Sequence, residues 1–276
     1  MASPPYALSP SSISSFKECP LAFRFSYLDR LPEPSTVWTA KGTLVHLALQ
    51  YLMDRPPDDR TVDAGLADLD RARVALATDP EFSSLELSDE DRAAFDRDAE
   101  QLVRRYFELE DPRRVHPIGL ELRLEAKVGG VRVRGVIDRL DLAEDGELVV
   151  SDYKTGRVPS ELFEAKSLAG VHMYALMCEQ TFGRRPARVQ LLYLSKPEMI
   201  IATPSDQSCR GLSRRTAALW SAIETACSRD DFRPHPSRLC DFCTFKPYCP
   251  AHGGDPQQAV ELRGPGTMVE STLPLG

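Results

Sequence analysis

Nowhere in these 276 residues do about 18 apolar side chains run together, and the first ten residues hold no basic stretch leading into an apolar run. Neither a membrane span nor secretion is therefore expected. An excess of positive charge is also missing. Lysine and arginine number 34 against 41 acidic residues, leaving −7 and a pI near 5.4, which suits poorly a surface that grips polyanions everywhere. No Gly-x4-Gly-Lys-Ser/Thr phosphate loop occurs, so no P-loop motor is expected in this chain. An even cysteine framework is lacking too. Seven cysteines without an export signal point to free thiols or metal ligands in a reducing compartment, the cytoplasm. Internal repeats are absent.

What is present suffices for one large domain or two small ones, with 42% hydrophobic and 27% charged residues. The order of patterns is helices first, then strands with crossover helices. Ser9-Pro10 suits a helix start, and the first helix is expected to carry Cys19. A second helix is expected from about Ala40, with Leu44, Val45, Ala48, Leu49 and Leu52 as its apolar stripe and His46 off that stripe. Two amphipathic helices follow at 61–77 and 88–108, completing a helical region over 9–110. From Pro117 the period shortens toward two, predicting strands at 118–127, 131–142, 147–154, 187–194 and 199–202, with helices at 161–182 and 206–228. This makes an α/β core over 117–230 with a mixed central sheet. After Cys249 the composition turns to Gly, Pro and small polar residues, and 253–276 is expected to be a flexible tail. Arginines cluster at 104–105, 113–114, 184–185 and 214–215, where they could line a groove or simply face solvent.

Strand alternation puts Asp152 and Lys154 on one side of the run 148–154. Asp138 lies on the preceding strand. A three-residue loop, Glu144-Asp145-Gly146, with Gly146 left-handed, would set Asp138 opposite Asp152; a two-residue loop would not. Paired carboxylates about 5 Å apart repel unless a cation lies between them, and hard oxygen ligands suit Mg2+ or Mn2+. Such a metal activates water and neutralises charge on a phosphate, and Lys154 could orient that water. The same spacing also describes an ordinary ion pair between Asp152 and Lys154. Separately, Cys240-x2-Cys243-x5-Cys249 packs three thiols into ten residues, an incomplete metal site for which Cys19 is the best fourth ligand. Cys178, Cys209 and Cys227 are expected to be ordinary thiols.

The runs Gly135-Val136-Ile137-Asp138-Arg139-Leu140-Asp141 and Asp152-Tyr153-Lys154-Thr155-Gly156 resemble the nuclease core of the RecB family within the PD-(D/E)XK superfamily. The likeness extends from Ser9 to Pro250. It implies a restriction-endonuclease-like fold and hydrolysis of DNA at ends or in single strands, in repair, recombination or processing. It also implies that Gly42-Thr43-Leu44-Val45-His46 supplies a metal-binding histidine, His46, and that the Tyr153 carbonyl adds a backbone ligand. Asp138, Asp152 and Lys154 would be catalytic. Tyr174 matches the tyrosine of the family's Gln-x-x-x-Tyr helix, but Gly170 stands in place of the glutamine. His172 and Gln180 are polar candidates to replace it. Ile137 replaces the name-giving proline, and Asp152 stands where glutamate is common. Family members with one cysteine upstream of the core and three downstream hold a [4Fe–4S] cluster, which implies that cofactor on Cys19, Cys240, Cys243 and Cys249; structural Zn2+ is the rival. Glu121 could support the metal site. A helicase or repair protein would be a separate partner. Other classes stay open: a non-catalytic iron–sulfur DNA-binding or scaffold subunit of a helicase–nuclease complex, or an electron-transfer protein.

Overall fold

The computed structural model describes residues 2–159 and 161–262. Its elements, in chain order, are α1 (Pro10–Glu18), α2 (Pro20–Phe23), α3 (Val37–Asp54), α4 (Val62–Leu76), α5 (Pro80–Ser83) and α6 (Asp89–Leu109). There follow β1 (Pro117–Val128), β2 (Val131–Leu142), β3 (Leu148–Lys154), α7 (Glu161–Phe182), β4 (Arg188–Tyr193), β5 (Glu198–Ala202), α8 (Asp206–Arg229) and α9 (Pro256–Glu261). The chain forms two compact units. One comprises residues 7–10 and 35–219; the other comprises 1–6, 11–34 and 220–276.

The larger unit is built on a five-stranded mixed sheet in the order β1-β2-β3-β4-β5, antiparallel except for the β3–β4 pair. Two turns set its register. Gly129-Gly130, both with positive φ (60° and 82°), closes β1 onto β2 with Val128 facing Val131. The β2–β3 loop is the expected three-residue one: Gly146 has φ 80°, its N–H bonds Ala143 O at 2.8 Å, and Ala143 N–H bonds Glu147 O at 2.8 Å. Leu142 then faces Leu148 and Arg139 faces Ser151. The core joins the buried stripe of α3 (Leu44, Val45, Ala48, Leu49, Leu52) to Leu69 of α4, Leu102, Val103 and Tyr106 of α6, and Tyr153, Leu192 and Leu194 of the sheet region. α3 begins at Val37, three residues before the expected start. Thr36 and Thr39 form a reciprocal capping box there, and Thr39 N–H donates to Thr36 Oγ1 at 3.1 Å.

In the smaller unit Cys19 does not lie within the first helix, as expected, but at a break. α1 ends at Glu18, and Cys19 is extended (φ −159°, ψ 107°) because Pro20, the first residue of α2, excludes helical geometry from the residue before it. Phe16, Phe23 and Phe25 are buried in this unit, with Phe25 against Phe245 and Tyr248. Where a flexible tail is expected, α9 carries a buried Ala259; residues 263–276 of that segment lie outside the described residues.

Candidate active site

Near one end of the β2–β3 pair the ladder stops. Its last pair is Arg139–Ser151, and beyond it Tyr153 N–H donates not to a strand carbonyl but to the Asp138 carboxylate, Oδ2, at 2.7 Å. Into this opening α3 delivers His46. Gly42 brings that helix close, since a Cβ there would already stand 3.4 Å from Thr155 Oγ1. His46 Nε2 is 3.1 Å from the Tyr153 carbonyl and Nδ1 is 3.5 Å from Asp138 Oδ2, and the His46 and Tyr153 rings meet edge to face. Burial pushes the imidazole toward its neutral form. A neutral ring has one N–H, yet both nitrogens face oxygen acceptors, so a proton or a cation must lie in the gap with Asp138.

Glu121 completes the cluster. Ligand atoms of His46, Glu121 and Asp138 all lie within 4.8 Å of one another, the group among the described residues that could hold a metal ion. Glu121 also adopts a left-handed backbone (φ 45°), a strained geometry for a side chain of its size. Its importance was readable from sequence, because counting outward from the Gly129-Gly130 turn sets it opposite Asp138. Burial raises the Glu121 carboxyl; burial, then the Asp152 charge, raises Asp138 well above the usual carboxylate range. An imidazole and two carboxylates thus converge at one partly buried point. The residues present therefore fit a hard divalent metal.

Asp152 itself turns to Lys154, with which it forms an ion pair. Burial works against the Lys154 charge, but Asp152 outweighs it and holds the ammonium above its ordinary value. Asp152 is not one of the three residues gathered within 4.8 Å; paired with Lys154, it adjoins them. Tyr174 packs over β2: a Cβ on Gly135 would come within 2.8 Å of its ring carbon Cε1. Burial, followed by the charges of Asp152, Asp138 and Glu121, keeps its phenol protonated. Gly170, which stands where the glutamine would be, has Pro10 as its nearest neighbour for an added Cβ, at 3.9 Å; of the two candidate substitutes, His172 is half-buried and Gln180 is exposed. A cleft of about 620 Å³ runs beside the cluster, lined by Gly42, Thr43, His46 and Gln50 of α3, and by Glu121 and Arg123 of β1. Arg123 belongs to none of the arginine clusters noted in the sequence. Several of those are engaged locally: Arg113 with Asp111, Arg105 with the Ser195 carbonyl, Arg185 with Glu179 and Asp206.

Within the smaller unit, Cys19, Cys240, Cys243 and Cys249 line one cavity of about 530 Å³. Cys19 Sγ accepts from His235 N–H at 3.4 Å and Cys240 Sγ from Ser237 N–H at 3.3 Å. Burial, together with the three neighbouring thiols, raises Cys243. Cys178, Cys209 and Cys227 are buried. No described helix is long and apolar enough to cross a membrane.

The chain shares 28% identity over 134 residues with the Gene 69 protein of Mycobacterium phage L5, covering 48% of this chain and 44% of that protein. It shares 27% identity over 195 residues with the Gene 69 protein of Mycobacterium phage D29, covering 63% and 69%. The chain thus spans less than half the length of the L5 relative. A crystal structure of a Eubacterium rectale protein, provisionally named an exonuclease, superposes with a TM-score of 0.56 over 86% of this chain and 87% of that one. At 12% identity this likeness is one of fold. The model of the PD-(D/E)XK nuclease superfamily matches residues 7–250, and the chain belongs to that superfamily.

Proposed function

We propose that the chain is a divalent-metal-dependent deoxyribonuclease of the RecB-like branch, acting on DNA ends or single strands in repair, recombination or processing. The observation that carries this reading is the meeting of His46, Glu121 and Asp138 beside the Asp152–Lys154 pair. Asp138, His46 and Glu121, with Asp152 and the Tyr153 carbonyl, would hold the metal. When bound, Mg2+ or Mn2+ supplies an acidified water and neutralises charge on the phosphate. Lys154, held charged, orients the attacking water and stabilises negative charge as it builds. Tyr174 donates its hydroxyl hydrogen to the phosphate, and Arg123 offers a cation to a flanking phosphate along the cleft.

In this reading the four cysteines hold a [4Fe–4S] cluster, with structural zinc as the rival. All four line one cavity, and two of their sulfurs accept backbone N–H bonds, which supports a shared metal centre. The cluster's role in this reading is structural.

The test is cleavage of 5′- and 3′-labelled single-stranded and duplex DNA with Mg2+ or Mn2+. The expected outcome is cleavage by the wild type that falls at least ~100-fold in Asp152→Ala and Lys154→Ala. No cleavage, or cleavage unchanged in both variants, overturns the reading.

A further inference from the structure

Two residues that flank the site carboxylates meet away from it. Arg139 follows Asp138 on β2 and is fully buried; Tyr153 follows Asp152 on β3 and is nearly so. By strand alternation their side chains point opposite to the carboxylates, and Arg139 Nη1 donates to Tyr153 Oη at 2.8 Å. The guanidinium is fixed in every direction. Nε donates to Asp141 Oδ2 at 3.0 Å, Nη1 to Tyr106 Oη at 3.2 Å, and Nη2 to Ser151 Oγ at 3.1 Å and Glu110 Oε2 at 3.1 Å. Ser151 Oγ donates onward to Asp141 and accepts from Gln190 Nε2 at 2.8 Å.

The position of this network matters more than its size. The β2–β3 ladder ends at Arg139–Ser151, so no ladder bond sets the distance between Asp138 and Asp152 one residue further on. Two contacts take its place: Tyr153 N–H to Asp138, and Arg139 to the Tyr153 hydroxyl. Tyr153 also bears on the metal site at two other points, its carbonyl facing His46 Nε2 and its ring against the His46 ring at 5.9 Å between centroids. Replacing a buried ion pair by apolar packing is often neutral or stabilising, so the burial of Arg139 is by itself weak evidence of a role in stability.

We propose that Arg139 and Tyr153 are positioning residues: a buried clasp that holds Asp138, Asp152 and His46 at the spacing a divalent cation needs. This rests on the metal-site reading above, and its test separates the two. The measurement is Mn2+ binding to the full chain without DNA, followed by electron paramagnetic resonance, for the wild type, Tyr153→Phe and Tyr106→Phe. Tyr106 is as buried as Tyr153 and bonds the same guanidinium, but it belongs to α6 and flanks no carboxylate of the site. Loss of an outer hydrogen bond that orients ligands costs about 10- to 100-fold in metal affinity. Tyr153→Phe is therefore expected to weaken Mn2+ binding about tenfold, with Tyr106→Phe staying within about twofold at comparable loss of melting temperature. Equal weakening in both variants, or none in Tyr153→Phe, overturns the clasp while leaving the metal site standing. A wild type that binds no Mn2+ overturns both.

Discussion

Asp138 concentrates the conflict between stability and chemistry. Its carboxyl is raised by burial and by the neighbouring Asp152, so in the metal-free protein it holds its proton where an unfolded chain would already have lost it. The unfolded state then binds fewer protons at this group, and the Asp138 contribution to stability falls as pH rises from about 4, the ordinary aspartate value, through the raised value of the folded state. His46, lowered by burial, makes an opposite and separate contribution. Melting temperature in EDTA should accordingly decline from acidic to neutral pH in the wild type, with a flatter profile in Asp138→Asn. At pH 7 the amide variant should be the more stable, while cleaving nothing. Mg2+ should raise the melting temperature of the wild type and leave Asp138→Asn nearly unmoved. A steeper decline in the variant than in the wild type would contradict this account.

Between elements, the tolerances are set by glycines. Gly135 of β2 leaves room for the Tyr174 ring of α7, and a methyl group there would approach ring carbon Cε1 to 2.8 Å. Gly135→Ala should cost about 1–3 kcal/mol in chemical denaturation and lower kcat more than KM, because α7 must shift to relieve the overlap. An unchanged midpoint and rate would show that Tyr174 moves freely. Much of this level was legible from residues alone. The mixed α/β order, the three-residue loop at Gly146 and the β2–β3 register all follow from turn chemistry and alternation, which act locally. What escaped had two kinds of cause, local signals passed over and contacts made only on assembly. Cys19 breaks the first helix because of the proline after it, and the α3 start depends on a threonine pair outside the apolar stripe. Glu121 is expected from sequence only as a support, although counting across the Gly129-Gly130 turn already sets it opposite Asp138. Arg139 and Asp141 look in sequence like solvated charges, and only assembly of α6 with β2 and β3 reveals them as a buried network.

For the molecule as a whole, the net charge of −7 coexists with a substrate that would be polyanionic. On the function proposed above, a bound metal, Lys154 and Arg123 would supply the needed positive charge locally, so DNA affinity should depend on the metal more than on the general surface. The cysteine unit adds a separate requirement. Cys243→Ser should abolish a brown colour and broad absorption near ~400 nm in protein purified without oxygen, and should lower the melting temperature of that unit. A colourless wild type holding one zinc would replace the iron–sulfur assignment. The discontinuity of this unit also reaches back to the ribosome. Residues 11–34 are made well before 220–262, with which they belong, whereas the intervening 35–219 includes the complete sheet. At about 5–20 residues per second, roughly ten to forty seconds of synthesis separate the early segment from its partners. During that interval Phe25 lacks Phe245 and Tyr248, its ring partners, so the segment 11–34 is expected to stay open to solvent, and to chaperones, until residue 248 has emerged.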